Sequence, residues 1–264
     1  MDETALSKQL SRIAEALERL APAPRLDDLT RFPAYRWSHD GLCGLPRVDH
    51  LPLDRIAAAD RQKKELREAA CRHAAGRPAH DVLLWGARGM GKSLLVRSVA
   101  ADVGLTLVEV DASRIGDLDE LFDHLGRVDR RFWIFVDDLG VDEAATLRQL
   151  RSVLDGTVRP RPGNVHIVVT SNRRHLVERT LADNEAAASV NARDTLDDKL
   201  ALAERFGLSL GFHNCSQDEY LAICRALAAP TQIDERAAIN FATKRGARSG
   251  RIAAHYVTEL QGAD

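Results

Sequence analysis

The clearest chemical signature in the sequence is a run of eight residues, 86–93, that reads Gly-Ala-Arg-Gly-Met-Gly-Lys-Ser. In this spacing, glycines let backbone N–H groups curl around phosphate, the lysine reaches the terminal phosphates, and the hydroxyl ligates magnesium. The apolar run Val82 to Trp85 precedes the loop as a strand should, and a helix-like run follows it. The loop therefore predicts a site for ATP and Mg²⁺. Its predicted binding residues are Gly86, Ala87, Arg88, Gly89, Met90, Gly91, Lys92, Ser93 and Leu94.

Two acidic residues follow a second apolar run, Phe132 to Val136. A nucleotide hydrolase with such a loop needs one acid for magnesium and a second to orient the attacking water. We predict that Asp137 holds Mg²⁺ through water, beside Ser93, and that Asp138 activates the attacking water. Glutamate is common at the second position, and the shorter aspartate leaves helix capping or a solvated role as its alternative. Glu143 is a further candidate for the base.

A polar side chain also follows the next apolar run, Val165 to Val169, which ends in Thr-Ser-Asn at 170–172. If the two strands are neighbours, Asn172 lies beside the two acids. It would then hold the attacking water or the γ-phosphate. The alternative is an Asx turn at a strand end.

The composition is that of a globular protein, with 264 residues, 45% apolar and 29% charged. A formal net charge of -2 gives no overall electrostatic reason to expect nucleic acid, although local arginines keep it open. The four cysteines lack the spacing of a zinc site or a redox pair, so we expect free thiols. No run reaches the roughly 18 apolar residues of a membrane span, which predicts no membrane partner and a cytoplasmic location.

Short apolar runs alternate with helical stretches along the middle of the chain. Such alternation predicts an α/β fold, a parallel sheet flanked by helices. The predicted strands are Val82 to Trp85, Leu105 to Val110, Phe132 to Val136, Val165 to Val169 and Leu208 to Phe212, and a helix is predicted from Asp60 to Ala75.

Three helical patterns follow the last predicted strand, near Ser216 to Leu227, Ile233 to Lys244 and Arg251 to Leu260. The first opens with a capping box formed by Ser216 and Glu219. These patterns predict a small helical lid domain, residues 214–264, after an α/β domain, residues 35–213.

The N-terminal region, residues 1–34, is interpreted as an amphipathic helix and a linker. Its stripe of Leu6, Leu10, Ile13, Leu17 and Leu20 has helical spacing. The helix is expected to pack on its own domain, with self-association or a partner protein as alternatives. Ala21 to Pro33 carries three prolines and is predicted to be the linker.

This order of P-loop, Phe-Val-Asp-Asp, strand-end Ser-Asn, a following arginine and a helical lid resembles the AAA+ ATPase superfamily. More narrowly, the chain from about residue 35 to the end resembles the uncharacterised bacterial family called domain of unknown function 815. The stretches that carry this resemblance are Leu-Leu-Trp-Gly-Ala-Arg-Gly-Met-Gly-Lys-Ser, Thr-Ser-Asn-Arg-Arg-His-Leu, Glu-Arg-Phe-Gly-Leu and Cys-Ser-Gln-Asp-Glu-Tyr-Leu.

The resemblance implies roles for three arginines. Arg205 matches the arginine finger that serves a neighbouring subunit, which implies a homo-oligomer; an ordinary surface salt bridge is the alternative. Arg248 is similar to the second sensor, whose arginine reaches the bound phosphates from the lid, with Arg251 as the fallback. Either could instead be a surface arginine of the lid. By analogy, Ile56 lies in the adenine pocket.

Three functions are open at this stage. The first is an ATPase that remodels an unknown macromolecular partner, as an oligomer. The second is a nucleotide-dependent switch with little hydrolysis, which the aspartate at position 138 keeps open. The third is an ATPase that loads a helicase or acts on DNA. The loop at 111–118 has no aromatic residue, which argues against threading of polypeptide through a pore.

Overall fold

The computed structural model describes residues 7–9, 11–13, 25–140, 144–156, 160–172 and 203–262. Most of the predicted N-terminal stripe lies outside these ranges, as does Glu143. Ile13 is within them, and it is 56% exposed.

Within the described residues, eight strands form one sheet in the order β1-β3-β2-β5-β6-β7-β4-β8. The β2–β3 pair is antiparallel, and the other pairs are parallel. The strands are β1 Arg25–Leu26, β2 Ala34–Ser38, β3 Gly41–Leu45, β4 Val82–Gly86, β5 Thr106–Val110, β6 Phe132–Val136, β7 Val165–Ser171 and β8 Leu208–Phe212. The mixed α/β sheet confirms the predicted fold class, and its last five strands are those predicted.

Residues 7–9 and 11–13 are helical, and the α-helices from residue 60 onward surround this sheet and form the lid. They are α1 Asp60–Ala74, α2 Lys92–Val103, α3 Leu118–Leu125, α4 Ala144–Asp155, α5 Gln217–Ala228, α6 Glu235–Lys244 and α7 Gly250–Gln261. The capping box of α5 forms as predicted, with Ser216 Oγ accepting from the Glu219 amide and Glu219 Oε2 accepting from the Ser216 amide. None of the helices described is long and apolar enough to cross a membrane.

The sheet is buried on both faces, and its central strands are largely apolar. Along β4, Leu83 and Trp85 face a core formed with α3 and α4. Val82 and Leu84 face the opposite core, formed with α1 and α2. Alternation of side chains between faces explains why a strand covered on both sides appears in the sequence as one continuous apolar run.

The three lid helices share a separate apolar cluster that includes Tyr220, Cys224, Ala242 and Tyr256. Two tyrosine hydroxyls tie the helices together through backbone carbonyls. Tyr220 Oη donates to Ala238 O at 3.3 Å, and Tyr256 Oη donates to Asp234 O at 3.0 Å. The lid therefore has a core of its own, next to the sheet domain.

The edge of the sheet beyond β5 differs from the sequence interpretation. Residues 25–33 are not a linker, because they pack against the sheet. Leu29 is 8% exposed and belongs to a core cluster, and Tyr35 Oη donates to Asp28 O at 2.5 Å. The hairpin of β2 and β3 was not predicted at all, and β2 extends the sheet by pairing in parallel with β5.

Packing of residues 25–33 can be tested with two leucines. Leu29→Ala should lower the free energy of unfolding by about 2–4 kcal/mol, because it leaves a cavity in the core. Leu26→Ala is the matched control: Leu26 is 53% exposed, so its change should stay below about 1 kcal/mol. Urea denaturation measures both, and equally small effects would contradict the docking of this segment.

Candidate functional site

The P-loop has the backbone conformation that its glycines predict. Gly86, Gly89 and Gly91 have φ values of 120°, 74° and 83°, a region that other residues rarely adopt. A Cβ on Gly86 would lie 2.0 Å from Phe212 O, and the next amide, that of Ala87, donates to the same carbonyl at 2.8 Å. The end of β8 therefore fixes the start of the loop.

The N-terminus of α2 directly follows the loop. Its N-cap, Gly91, provides no side-chain cap, and its first turn has no acidic residue. The first N–H groups of a helix lack intrahelical partners and carry a partial positive charge. This end of the helix is therefore suited to an anion such as phosphate.

The side chain of Lys92, the first residue of α2, is enclosed by the loop. Lys92 is 5% exposed, and its Nζ donates to Gly86 O at 3.0 Å, Ala87 O at 2.8 Å and Asn172 Oδ1 at 2.8 Å. These acceptors bring the end of β7 into the P-loop site. The lysine thus links the loop to a strand that lies 80 residues further along the chain.

Burial lowers the pKa of Lys92 to about 8. The carboxylates of Asp138 and Asp137 act in the opposite direction, while the positive charges of Arg88 and Arg251 add to the lowering. The ammonium group consequently stays charged at neutral pH and begins to lose its proton in mildly alkaline solution.

One carboxylate oxygen of Asp137 accepts hydrogen bonds from two hydroxyl groups. Ser93 Oγ and Thr170 Oγ1 each donate to Asp137 Oδ1 at 2.5 Å. Hydroxyl and carboxylate oxygens are the hard donors that Mg²⁺ prefers, usually with several waters retained. Ser93 and Asp137 therefore fit the magnesium role predicted for them.

Asp138 turns away from the strand with φ 51°, in the left-handed region that aspartate tolerates better than most residues. Its amide donates to Thr170 Oγ1 at 2.8 Å, and its Oδ1 accepts from Asn172 Nδ2. Its Oδ2 lies 3.7 Å from Arg88 Nη2. Because β6 and β7 are neighbours, Asn172 does lie beside the acids, and its amide joins Asp138 to Lys92.

Thr170 is a site residue that the sequence analysis missed. It was noted only as part of the strand end, yet its buried hydroxyl fixes both acids. A hydroxyl two positions before Asn172 was the available signal. The contact between Arg88 and Asp138 was missed as well, since nothing in the spacing of these residues indicates it.

The lid reaches the P-loop through the N-terminus of α7. The Arg251 amide donates to Gly89 O at 3.0 Å, and Ser249 caps the helix. Arg248 is exposed and lies before the cap, outside α7, whereas Arg251 belongs to the first turn of the helix. The positive charge of Arg251 contributes to the lowered pKa of Lys92.

Met90, at the tip of the P-loop, contacts both halves of the protein. It packs against the core cluster shared with α1 and α2 and against the lid cluster. Its Sδ lies 3.7 Å from Cys215 Sγ at the start of the lid. Loop and lid therefore share an apolar contact as well as a hydrogen bond.

Ile56 and Arg205 lie at the remaining predicted positions. Ile56 is half-buried against the same core cluster as Met90, next to the short helical turn Leu53–Arg55. Arg205 lies in the turn before β8 and forms an ion pair through Nε with Asp155, at the end of α4. This pair lowers the pKa of Asp155. The adenine and finger roles of these residues stay predictions.

The sheet, the P-loop and the lid together define a P-loop fold of the AAA+ type. The strand order β5-β6-β7-β4-β8 brings the loop after β4, the acids after β6 and Asn172 after β7 to one edge, beside a helical lid. A family model described as "Protein of unknown function (DUF815)" matches residues 30–264, and the chain belongs to that family.

Solved structures of RuvB from Thermotoga maritima have a similar fold. The RuvB Holliday junction branch migration motor gives a TM-score of 0.55 at 21% identity, over 80% of this chain and 64% of that chain. A variant of the same protein gives a TM-score of 0.56 at 20% identity, with the same coverage. At this identity the likeness shows the fold alone.

A sequence relative is the replication factor C large subunit of Pyrobaculum calidifontis, 30% identical over 171 residues. The match covers 65% of this chain and 35% of the relative. The chain thus spans about a third of that protein's length.

The shifted pKa of Lys92 predicts that ATP affinity falls as the pH rises above about 8. Below that pH the free site already carries the proton that favours phosphate, so affinity should change little. Above it, binding must take up a proton, and affinity should fall toward about tenfold per pH unit. Calorimetric titration between about pH 7 and about pH 9.5 measures this, with the unfolding temperature at each pH as control. A constant affinity would contradict the shift.

Proposed function

We propose that this protein binds ATP with Mg²⁺ and hydrolyses it, and that hydrolysis drives remodelling of a macromolecular partner. One observation carries the catalytic part. The amide of Asn172 accepts from the lysine suited to terminal phosphates and donates to the carboxylate suited to activate water. Phosphate, water and base would thus meet at one side chain.

Binding would use the P-loop amides, the N-terminus of α2 and the ammonium group of Lys92. Ser93 and Asp137 would hold Mg²⁺, Asp137 through water, and the metal would neutralise charge on the phosphates. Asp138 would take a proton from the attacking water while the oxygen of that water bonds to the γ-phosphorus. The bond to the β-phosphate oxygen then breaks, and ADP and phosphate leave.

A switch with little hydrolysis is the second candidate, and the contacts of Asp138 favour it. Its carboxylate is engaged by Asn172 and lies close to Arg88. A base that is engaged by protein groups activates water only after they release it. Slow turnover with full nucleotide affinity would therefore indicate a switch.

A role on DNA has weaker support. The similar proteins carry names from DNA metabolism, a branch migration motor and a replication factor. The net charge of -2 supplies no general attraction to phosphate backbones. We therefore propose an unidentified protein partner, in the cytoplasm.

The proposal includes a homo-oligomer in which Arg205 serves the nucleotide of a neighbouring subunit. Such an arginine stabilises charge on the transferred phosphoryl group and contributes about 10³ or more to the rate. A site that is completed by a neighbouring subunit predicts that turnover per subunit rises with protein concentration.

Two substitutions separate binding from hydrolysis. Lys92→Ala should abolish ATP binding. Asp138→Asn should retain binding and lower turnover by about 10²-fold or more, because the amide cannot accept the proton. Asp119→Asn, at an exposed position on α3, is the matched control. Binding and phosphate-release assays measure these effects, and a parental rate for Asp138→Asn would contradict its role as the base.

Mixed assemblies test the role of Arg205. Arg205→Ala should lose most turnover, and mixing it with Lys92→Ala should restore part, since the second variant still supplies an arginine to its neighbour. Asp155→Ala, which removes the ion-pair partner of Arg205, is the control and should retain turnover. Absence of recovery would count against action between subunits. An equal loss in Asp155→Ala would assign Arg205 a structural role.

A further inference from the structure

Arg55 connects the sheet domain to the lid at a point away from the P-loop. It ends the short helical turn Leu53–Arg55, which precedes α1. Its Nε donates to Ala226 O at 3.3 Å, and its Nη2 donates to Leu227 O at 3.2 Å and to Ala229 O at 2.7 Å. One guanidinium group therefore holds three carbonyls at the end of α5.

The chemistry of this contact favours an arginine. The last carbonyls of a helix lack intrahelical partners and carry a partial negative charge, so a cation there is stabilising. A guanidinium group is a rigid fork of donors that reaches several carbonyls at once. The ammonium group of lysine has donors at a single nitrogen and cannot reproduce that arrangement.

The sheet side of the contact is firmly held. Lys63 Nζ, on α1, donates to Leu53 O at 3.2 Å and to Ile56 O at 2.9 Å. The side chains of Leu53 and Ile56 pack against the core cluster of α1 and α2. Arg55 thus projects from an anchored turn.

The lid is held at a second point, where the Arg251 amide donates to Gly89 O at 3.0 Å. The first point is the C-terminus of α5 and the second is the N-terminus of α7. The two helices share the lid core. With both points held, the lid can turn only about the line that joins them, and any other rotation requires one of the two contacts to break.

From this geometry we infer that Arg55 is a positioning residue that sets the angle of the lid over the nucleotide crevice. The relevance of that angle to ATP rests on the proposed function. Arg55 determines how far α7, with Arg251, and the preceding Arg248 stand from the P-loop. Arg55 is adjacent to Ile56, so the segment that is predicted to contact adenine also forms the hydrogen bonds to the lid.

The test is a distance between two spin labels in the nucleotide-free protein, measured by pulsed electron paramagnetic resonance. The labels are attached at Glu68→Cys on α1 and His255→Cys on α7, both exposed positions. Cys43→Ser and Cys71→Ser remove the half-buried native thiols. Arg55→Ala should broaden and shift the distance distribution, because the hydrogen bonds that hold the end of α5 are lost.

Three comparisons sharpen this result. Arg55→Lys, which keeps the charge, should give an intermediate distribution. Arg61→Ala, which removes an exposed arginine of α1, should give the parental one. Apparent ATP affinity of Arg55→Ala should fall about threefold or more, since affinity scales with the population of the binding-competent lid position.

A parental distribution for Arg55→Ala would overturn the inference, because Arg55 would then only cap α5. The label on α7 makes this distinction, as fraying at the end of α5 alone would not move it. If the parent protein failed to hydrolyse ATP while the distance still depended on Arg55, the proposed hydrolase activity would fail and this inference would stand.

Discussion

The ammonium group of Lys92 and its three acceptors form the interaction on which the site depends. A positive charge removed from water is costly unless neighbouring groups replace its hydration. Here the replacements come from two carbonyls of the P-loop and the amide oxygen of Asn172, and two nearby carboxylates favour the charged form. The buried lysine keeps its charge at neutral pH because strands that are distant in sequence lie side by side and supply these groups.

That arrangement follows from the register of the sheet. Val136 of β6 lies opposite Val169 of β7, and Ser171 of β7 lies opposite Trp85 of β4. The three strands run parallel, so the segments that leave them emerge at one edge. A shift of one residue between β6 and β7 would turn Thr170 away from the acids, because side chains alternate between faces. The buried apolar faces that fix the register therefore also fix the chemistry.

The parts that were predictable from sequence are those with a local signal. The P-loop has a fixed spacing, and strands buried on both faces, such as Phe132–Val136, appear as unbroken apolar runs. The edge hairpin has no such signal, since β2 reads Ala-Tyr-Arg-Trp-Ser and β3 contains two glycines in five residues. Short strands of mixed polarity are specified by the neighbour they pair with.

Two of the contacts that sequence analysis did not predict involve main-chain groups, which residue types do not mark. The lid meets the P-loop through the backbone amide of Arg251, and every residue type except proline has such an amide. Arg55 acts on backbone carbonyls 171 to 174 residues away. In both cases the partner is main chain, so no pair of side-chain types marks the contact.

Met90 gives the boundary between the lid and the sheet domain a different mechanical character from the Arg55 contact. Its unbranched thioether side chain has three rotatable bonds and adapts to irregular surroundings. Because it touches the cores on both sides, a small lid displacement exchanges one set of weak dispersion contacts for another of similar energy. The Met90 contact at the tip of the P-loop therefore opposes small displacements of the lid only weakly. The energetic cost rises when the side chain must leave one of the two cores.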